Sequence, residues 1–186
     1  MKAAPKTNRA TQAALTVSRP ALLKDGSDRD FRLLVHNLFG FLARHEAIRE
    51  GHAAAIGLVG IEYTVLISVA HLSAEGDVSI RTVAGHLHLS GAFVTTVTKR
   101  LLAKGLVDKA MDPSDRRRLC LTVTDAGRAL LEQLAPTQRQ VNDVEFESLG
   151  AEDFLRLSAM VAQLLESSER ALALQRALEP ASAQRR

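Results

Sequence analysis

Apolar residues recur along this chain in two different periods. Phe31, Leu34, Val35, Leu38, Leu42 and Ile48 follow one another at three- and four-residue steps among Arg, His and Glu, the spacing that places them on one face of a helix. This predicts an amphipathic helix of about six turns running toward Gly57. A second helix is predicted over Ile61–Leu72, carried by Tyr63, Leu66, Ile67 and Ala70 and ended by Ala74-Glu75-Gly76-Asp77. Ser79 then suits the cap of a short helix whose inward residues are Ile80, Val83, Ala84 and Leu87. After the break at His88-Leu89-Ser90, Ser90 suits the cap of another, with Val94, Val97 and Leu101 inward and Gly105 as its stop. Two short helices across a tight turn, the second showing Thr95, Thr96, Lys99 and Arg100 outward, form a helix-turn-helix.

The period then changes to two. Leu119, Leu121 and Val123 alternate with Cys120, Thr122 and Thr124, and Asp112-Pro113-Ser114-Asp115 before them is turn chemistry. With Leu106–Ala110 this makes a β-hairpin whose tip carries Arg116, Arg117 and Arg118, the wing of a winged helix. A long helix follows Asp125-Ala126-Gly127, with a bend expected near Pro136. A last helix is predicted over Ala151–Leu178, where Leu157, Val161, Leu164, Ser168 and Ala171 form a seam for another helix. The fold class is mainly α with a small β-wing, a winged helix-turn-helix dimerised through N- and C-terminal helices. The expected organisation is a flexible N-terminal arm over 1–28 and a helical dimerisation region over 29–57 and 129–178. A DNA-binding domain fills 58–128, and a flexible tail runs over 179–186.

Composition narrows the function classes. Of 186 residues 46% are apolar and one is Cys, which leaves no internal disulfide and no Cys-rich zinc site. Uncharged stretches such as Ala53–Ile61 are about half of the ~20 residues that cross a bilayer, and no apolar signal core opens the chain. A cytoplasmic protein with no membrane partner is expected. The net charge of +3 hides a division: from Ser79 to Arg128 nine Lys and Arg face four Asp, whereas from Ala129 to Arg170 three Arg face eight acids. One segment is suited to a polyanion and the next is not.

The run Leu87-His88-Leu89-Ser90, Val94-Thr95, Arg100–Val107, Asp112-Pro113-Ser114-Asp115-Arg116-Arg117 and Leu121–Gly127 resembles the MarR family of winged-helix transcriptional regulators. The likeness covers roughly residues 58 to 130, and its most specific part is the Asp-x-Arg wing followed by Leu-Thr and Gly. It implies a triangular homodimer on a palindromic site of double-stranded DNA, often released by a small aromatic ligand. Two departures stand out. His88 occupies the turn where Gly is usual, and Gly91-Ala92-Phe93 replaces the polar or Arg side chains that often open the recognition helix.

The DNA-contact candidates are then Ser79, Ser90, Gly91, Ala92, Thr95, Thr96, Lys99 and Arg100 on the paired helices and Asp115, Arg116, Arg117 and Arg118 on the wing. Arg117 matches the family's groove-inserting position, and Asp115 orients a neighbouring guanidinium. Phe93 either meets a thymine methyl or packs. His36, Arg44, His45, Arg49, His52 and Tyr63 are candidates for a small aromatic carboxylate or its thioester, because the family's cleft lies beside the first long helix. A solvated polar stripe is the alternative. No metal site and no cofactor are expected, and Cys120 lies away from the position used by the family's thiol sensors. No nucleophile elbow or phosphate-binding glycine loop marks an enzyme. The reading is a ligand-responsive regulator, expected to repress. The competing one is a helical dimer that binds a basic protein through its acidic C-terminal half.

Overall fold

The computed structural model describes residues 14–111 and 119–179. The wing tip, with Asp115, Arg116, Arg117 and Arg118, lies outside them. The elements are α1 (Arg29–Ala55), α2 (Gly60–Leu72), α3 (Ile80–His86), α4 (Gly91–Ala103), β1 (Val107–Met111), β2 (Leu119–Val123), α5 (Asp125–Glu145) and α6 (Ala151–Leu178). Two compact units divide after Leu134, and each is described by itself.

In the first unit the apolar stripes converge on one core made of α2, α3, α4, the hairpin and the start of α5. Leu66, Val69, Val83, Val94, Leu101, Val107 and Leu121 are among its most completely enclosed members. The helix-turn-helix is set by its caps. Ser79 Oγ accepts from Thr82 N at 3.1 Å, and Ser90 Oγ accepts from Phe93 N at 3.2 Å, each satisfying an amide that a helix start leaves open. Between them His88 has φ 52°, so it takes the left-handed conformation usually left to Gly. Gly105 ends α4 with φ 68°, and Leu106 N donates back to Leu101 O at 3.0 Å.

The hairpin is antiparallel with Val107 opposite Val123 and Met111 opposite Leu119. Leu121 N also donates to Val78 O at 2.7 Å, which fastens the wing to the strand-like approach to α3. The run after β2 fixes the next helix. Thr124 Oγ1 donates to Gly105 O at 2.7 Å and accepts from Gly127 N at 3.1 Å. A Cβ at Gly127 would stand 2.3 Å from Leu106 O, so the chain there needs a residue without one.

Two differences from the sequence expectations have physical causes. Residues 14–28, read as part of a loose arm, carry a 3-10 turn at Pro20–Leu22 and a tight turn at Asp25-Gly26. Thr16 N and Oγ1 both donate to Asp28 Oδ2 at 2.7 Å, a polar contact that no apolar period reveals. Leu119, expected to face inward with Leu121 and Val123, is 44% exposed, because it pairs with Met111 at the far end of the hairpin from the core. Pro136 lies inside α5, within the single long helix that was expected there.

In the second unit α6 spans 28 residues, every one of them exposed. Glu152 and Asp153 in its first turn and Arg176 in its last complement the helix dipole. Among the described residues no single helix is long and apolar enough to cross a membrane.

Candidate nucleic-acid interface and ligand site

α4 buries Val94, Val97, Thr98 and Leu101. At 3.6 residues per turn this puts Ala92, Thr96 and Lys99 on the opposite face, with Thr95 and Arg100 at its flanks. All but Thr95, which is half-buried, are exposed, as are Gly91 and Phe93. The hydroxyls have local partners: Thr95 Oγ1 donates to Gly91 O at 2.7 Å and Thr96 Oγ1 to Ala92 O at 3.1 Å. The Ser79 and Ser90 hydroxyls are engaged as caps. Lys99 and Arg100 thus supply the positive charge of the outward face, and its polar hydroxyls serve the helix first.

The far end of α4 is tied down. Lys104 Nζ meets Glu62 Oε2 at 2.7 Å, and the Glu62 side chain is 6% exposed. Burial pushes the Glu62 carboxyl up, but the Lys104 hydrogen bond, the Val59 amide and the charges of Lys104 and Arg100 outweigh it and hold it below the ordinary carboxylate value. The sequence reading missed this pair. Its partners stand 42 positions apart, and each charge alone reads as a solvated residue.

The six ligand candidates separate into two groups. His36, Arg44 and His45 are exposed along α1. Arg44 Nη1 donates to Gly40 O at 2.8 Å, and His45 stacks on Phe41 with ring centroids 5.9 Å apart. Arg49, His52 and Tyr63 come together where α1 meets α2. Arg49 is clasped by Glu46 and bonded to Thr64 Oγ1. The Arg49 hydrogen bond holds the Glu46 carboxyl below its usual range. His52 is buried, and its Nε2 has no partner among the described residues. The Tyr63 ring stands edge-on to it at 6.1 Å. Burial pushes the Tyr63 phenol up, against the Arg49 charge, so the ring stays neutral. Glu50 Oε2 accepts from Gly60 N at 2.9 Å beside this cluster, another residue the sequence did not single out.

Cys120 is half-buried in β2 opposite Ala110. Among the described residues no three His, Cys, Asp or Glu side chains gather as a metal set.

A capped helix pair, a left-handed turn and a hairpin fastened behind them make a winged helix-turn-helix, and comparison with known proteins assigns it. The MarR family model matches residues 65–119, from within α2 to the first residue of β2. The chain resembles the MarR family in sequence over that stretch and in fold. It is similar to the transcriptional repressor NicR of Pseudomonas putida, 28% identical over 69% of this chain and 79% of that protein. BpsR of Bordetella bronchiseptica, whose solved structure concerns regulation of its DNA binding by 6-hydroxynicotinic acid, is 27% identical with a TM-score of 0.57. It covers 71% of this chain and 98% of its own. The MarR regulator of Oenococcus oeni shares the fold, with a TM-score of 0.64 at 16% identity over 72% of this chain and 98% of its own. The curated relatives it resembles are transcriptional regulators, not enzymes.

Proposed function

We propose that this chain is a homodimeric repressor of a palindromic site in double-stranded DNA, released by a small aromatic acid or its thioester. The N-terminal half of α4 meets the major groove with Lys99 and Arg100 on the adjoining phosphates, while Arg116, Arg117 and Arg118 reach the neighbouring minor groove with Asp115 orienting them. The observation that carries the ligand part is the gathering of Arg49, His52 and Tyr63 at the junction of α1 and α2. Arg49 supplies a fixed cation now held by Glu46, whose side chain is 54% exposed and able to give way to an incoming carboxylate. The unpartnered Nε2 of His52 offers a polar contact, and Tyr63 offers a ring edge. Support comes also from BpsR, a relative of similar sequence that responds to a hydroxylated heteroaromatic acid.

The dimer is supported by apolar exposure that a lone chain leaves unexplained. Leu34, Leu38 and Leu42 on α1 and Phe154, Leu157, Val161 and Leu164 on α6 are each at least 41% exposed. Helical interfaces of obligate dimers commonly bury about 2,000 Å² or more.

The test is thermal-shift screening with benzoate, phenylacetate, indole-acetate and 6-hydroxynicotinate, followed by DNA titration with each hit. Binding that favours the DNA-incompetent arrangement weakens the complex by roughly 5- to 150-fold, and Arg49→Ala abolishes both the shift and the release. If no acid stabilises the protein, or if hits leave DNA affinity unchanged, the α1 cluster is structural and the ligand assignment fails.

A further inference from the structure

We propose that α4 reads its site through methyl groups: Ala92, Phe93 and the methyl of Thr96 meet the C5-methyl groups of thymines. This rests on the reading that α4 enters the major groove. The seven residues from Ser90 to Thr96 are Ser-Gly-Ala-Phe-Val-Thr-Thr, with no Arg, Lys, Asn or Gln. The bidentate contacts that distinguish guanine and adenine are therefore absent from the half of the helix that enters the groove.

The remaining hydroxyls do not replace those contacts. A hydroxyl has one proton to donate. Thr95 gives its proton to Gly91 O, and Thr96 gives its own to Ala92 O. The Ser90 oxygen receives the Phe93 amide as a cap. Purine N7, guanine O6 and thymine O4 are all acceptors, so none of them gains a donor from the two threonines. What Ala92, Phe93 and the Thr96 methyl present outward is carbon. Ala92 and Thr96 stand opposite the buried face, and Phe93 beside them is 45% exposed although it belongs to a helix with four buried neighbours. The C5-methyl of thymine is the apolar feature of the major-groove edge, and Ala, Thr methyl and Phe are the side chains that meet it. Lys99 and Arg100, one turn further on, face the phosphates and supply affinity without sequence preference.

The experiment uses the full chain and the tightest-binding duplex recovered from a fully randomised library. Each thymidine is replaced in turn, symmetrically in both half-sites, by deoxyuridine, which removes the C5-methyl and keeps every hydrogen-bonding group. At least one replacement is expected to weaken binding by about fourfold for each methyl lost. Thr96→Val, which keeps the methyl, is expected to bind like the parent. Thr96→Ser, which keeps the hydroxyl, is expected to lose affinity and become indifferent to deoxyuridine at that position. If deoxyuridine is tolerated throughout, and Thr96→Ser binds like the parent while Thr96→Val does not, the hydroxyl reads the base and the methyl inference is overturned with α4 still the recognition helix. Recovery of no duplex at all would instead remove α4 as a reader, and the inference with it.

Discussion

Among the described residues between Ala53 and Leu134 eighteen apolar side chains are at most 8% exposed, whereas in α6 Phe154, Leu155, Leu157, Met160, Val161 and Leu164 lie between 41% and 67% exposed. Both segments are rich in leucine and valine at helical spacing. In the winged helix the stripes of α2, α3 and α4 face one another and the hairpin closes behind them. In α6 the stripe faces nothing among the described residues of its own unit. A contiguous apolar surface of this length marks an interface. The first region carries the means of its own folding, whereas the seam of α6 gains burial only in the proposed dimer.

The sharpest break of this contrast is a charge on the α6 seam. Leu157→Lys with Leu164→Lys is expected to convert the proposed dimer to a monomer at micromolar concentration, as read by light scattering, with a loss of association above a hundredfold. Each buried Leu contributes about 1.5–3 kcal/mol, and a two-fold interface counts every substitution twice. Isolated substitutions of the same kind at Leu101 in the winged helix should instead unfold the protein at any concentration. If the double variant remained dimeric, α6 would not be the interface.

The same contrast governs how far the sequence could be read. Caps and periods are local, so Ser79, Ser90, His88, Gly105 and the α6 bounds were legible from neighbouring residues. The inward set Val83, Val94, Val97, Leu101 and Leu121 followed from the same periods. Contacts between distant polar residues were not legible: Thr16 with Asp28, Arg49 with Thr64 and Glu62 with Lys104 join residues whose types give no hint of each other. The ligand candidates show the limit most clearly. The family resemblance grouped His45 with Arg49 and His52, but the structure directs His45 onto Phe41 and only the other two toward α2. The proposed wing contacts lie outside the described residues.

Gly127→Ala tests the closed region from within. The new Cβ would lie 2.3 Å from Leu106 O and 2.7 Å from Val123 Cγ1. The first of these is backbone at the hinge between α4 and β1, so it yields only by moving the hairpin off the core. Overpacking of this kind costs about 2–3 kcal/mol, seen as a lower urea midpoint with unchanged slope. Gly91→Ala, where a Cβ has nothing within 4 Å, is the control and should leave stability unchanged or slightly raised.

A smaller change of opposite sign should come from Thr98→Val. Thr98 is 2% exposed among Val94, Val97 and Leu101, and its Oγ1 has no partner among the described residues. Replacing an unpaired buried hydroxyl by a methyl of the same shape is expected to add about 1 kcal/mol, raising the melting temperature by about 2–4 °C. A loss of stability would mean that the hydroxyl has a partner, such as an ordered water.

The smallest expected effect concerns acid, and it separates the contribution of α4's tether from that of the apolar core. Glu62 is held below its ordinary value of 4.5, with Lys104 as its main favourable partner. A carboxylate lowered in the folded state contributes stability that is fully present above the unfolded value and is lost as pH falls through the folded one. The Glu62–Lys104 link is therefore intact at neutral pH and released below the usual carboxylate range. Lys104 is 41% exposed, so water screens the pair and its net contribution stays within about 0.2–1 kcal/mol. Glu62→Gln keeps the side-chain size and removes the titration. Its stability should lie slightly below the parent at neutral pH, and the two should converge as the pH falls through the carboxylate range. Asp28 is also held low, first by the Thr16 amide and then by its hydroxyl, with Arg32 assisting, so Asp28→Asn should remove a separate part of the acid dependence. Amide exchange at the C-terminal turn of α4 distinguishes the two, since only the loss of Glu62 should quicken it. Identical pH profiles for Glu62→Gln and the parent would show that packing alone holds the end of the recognition helix.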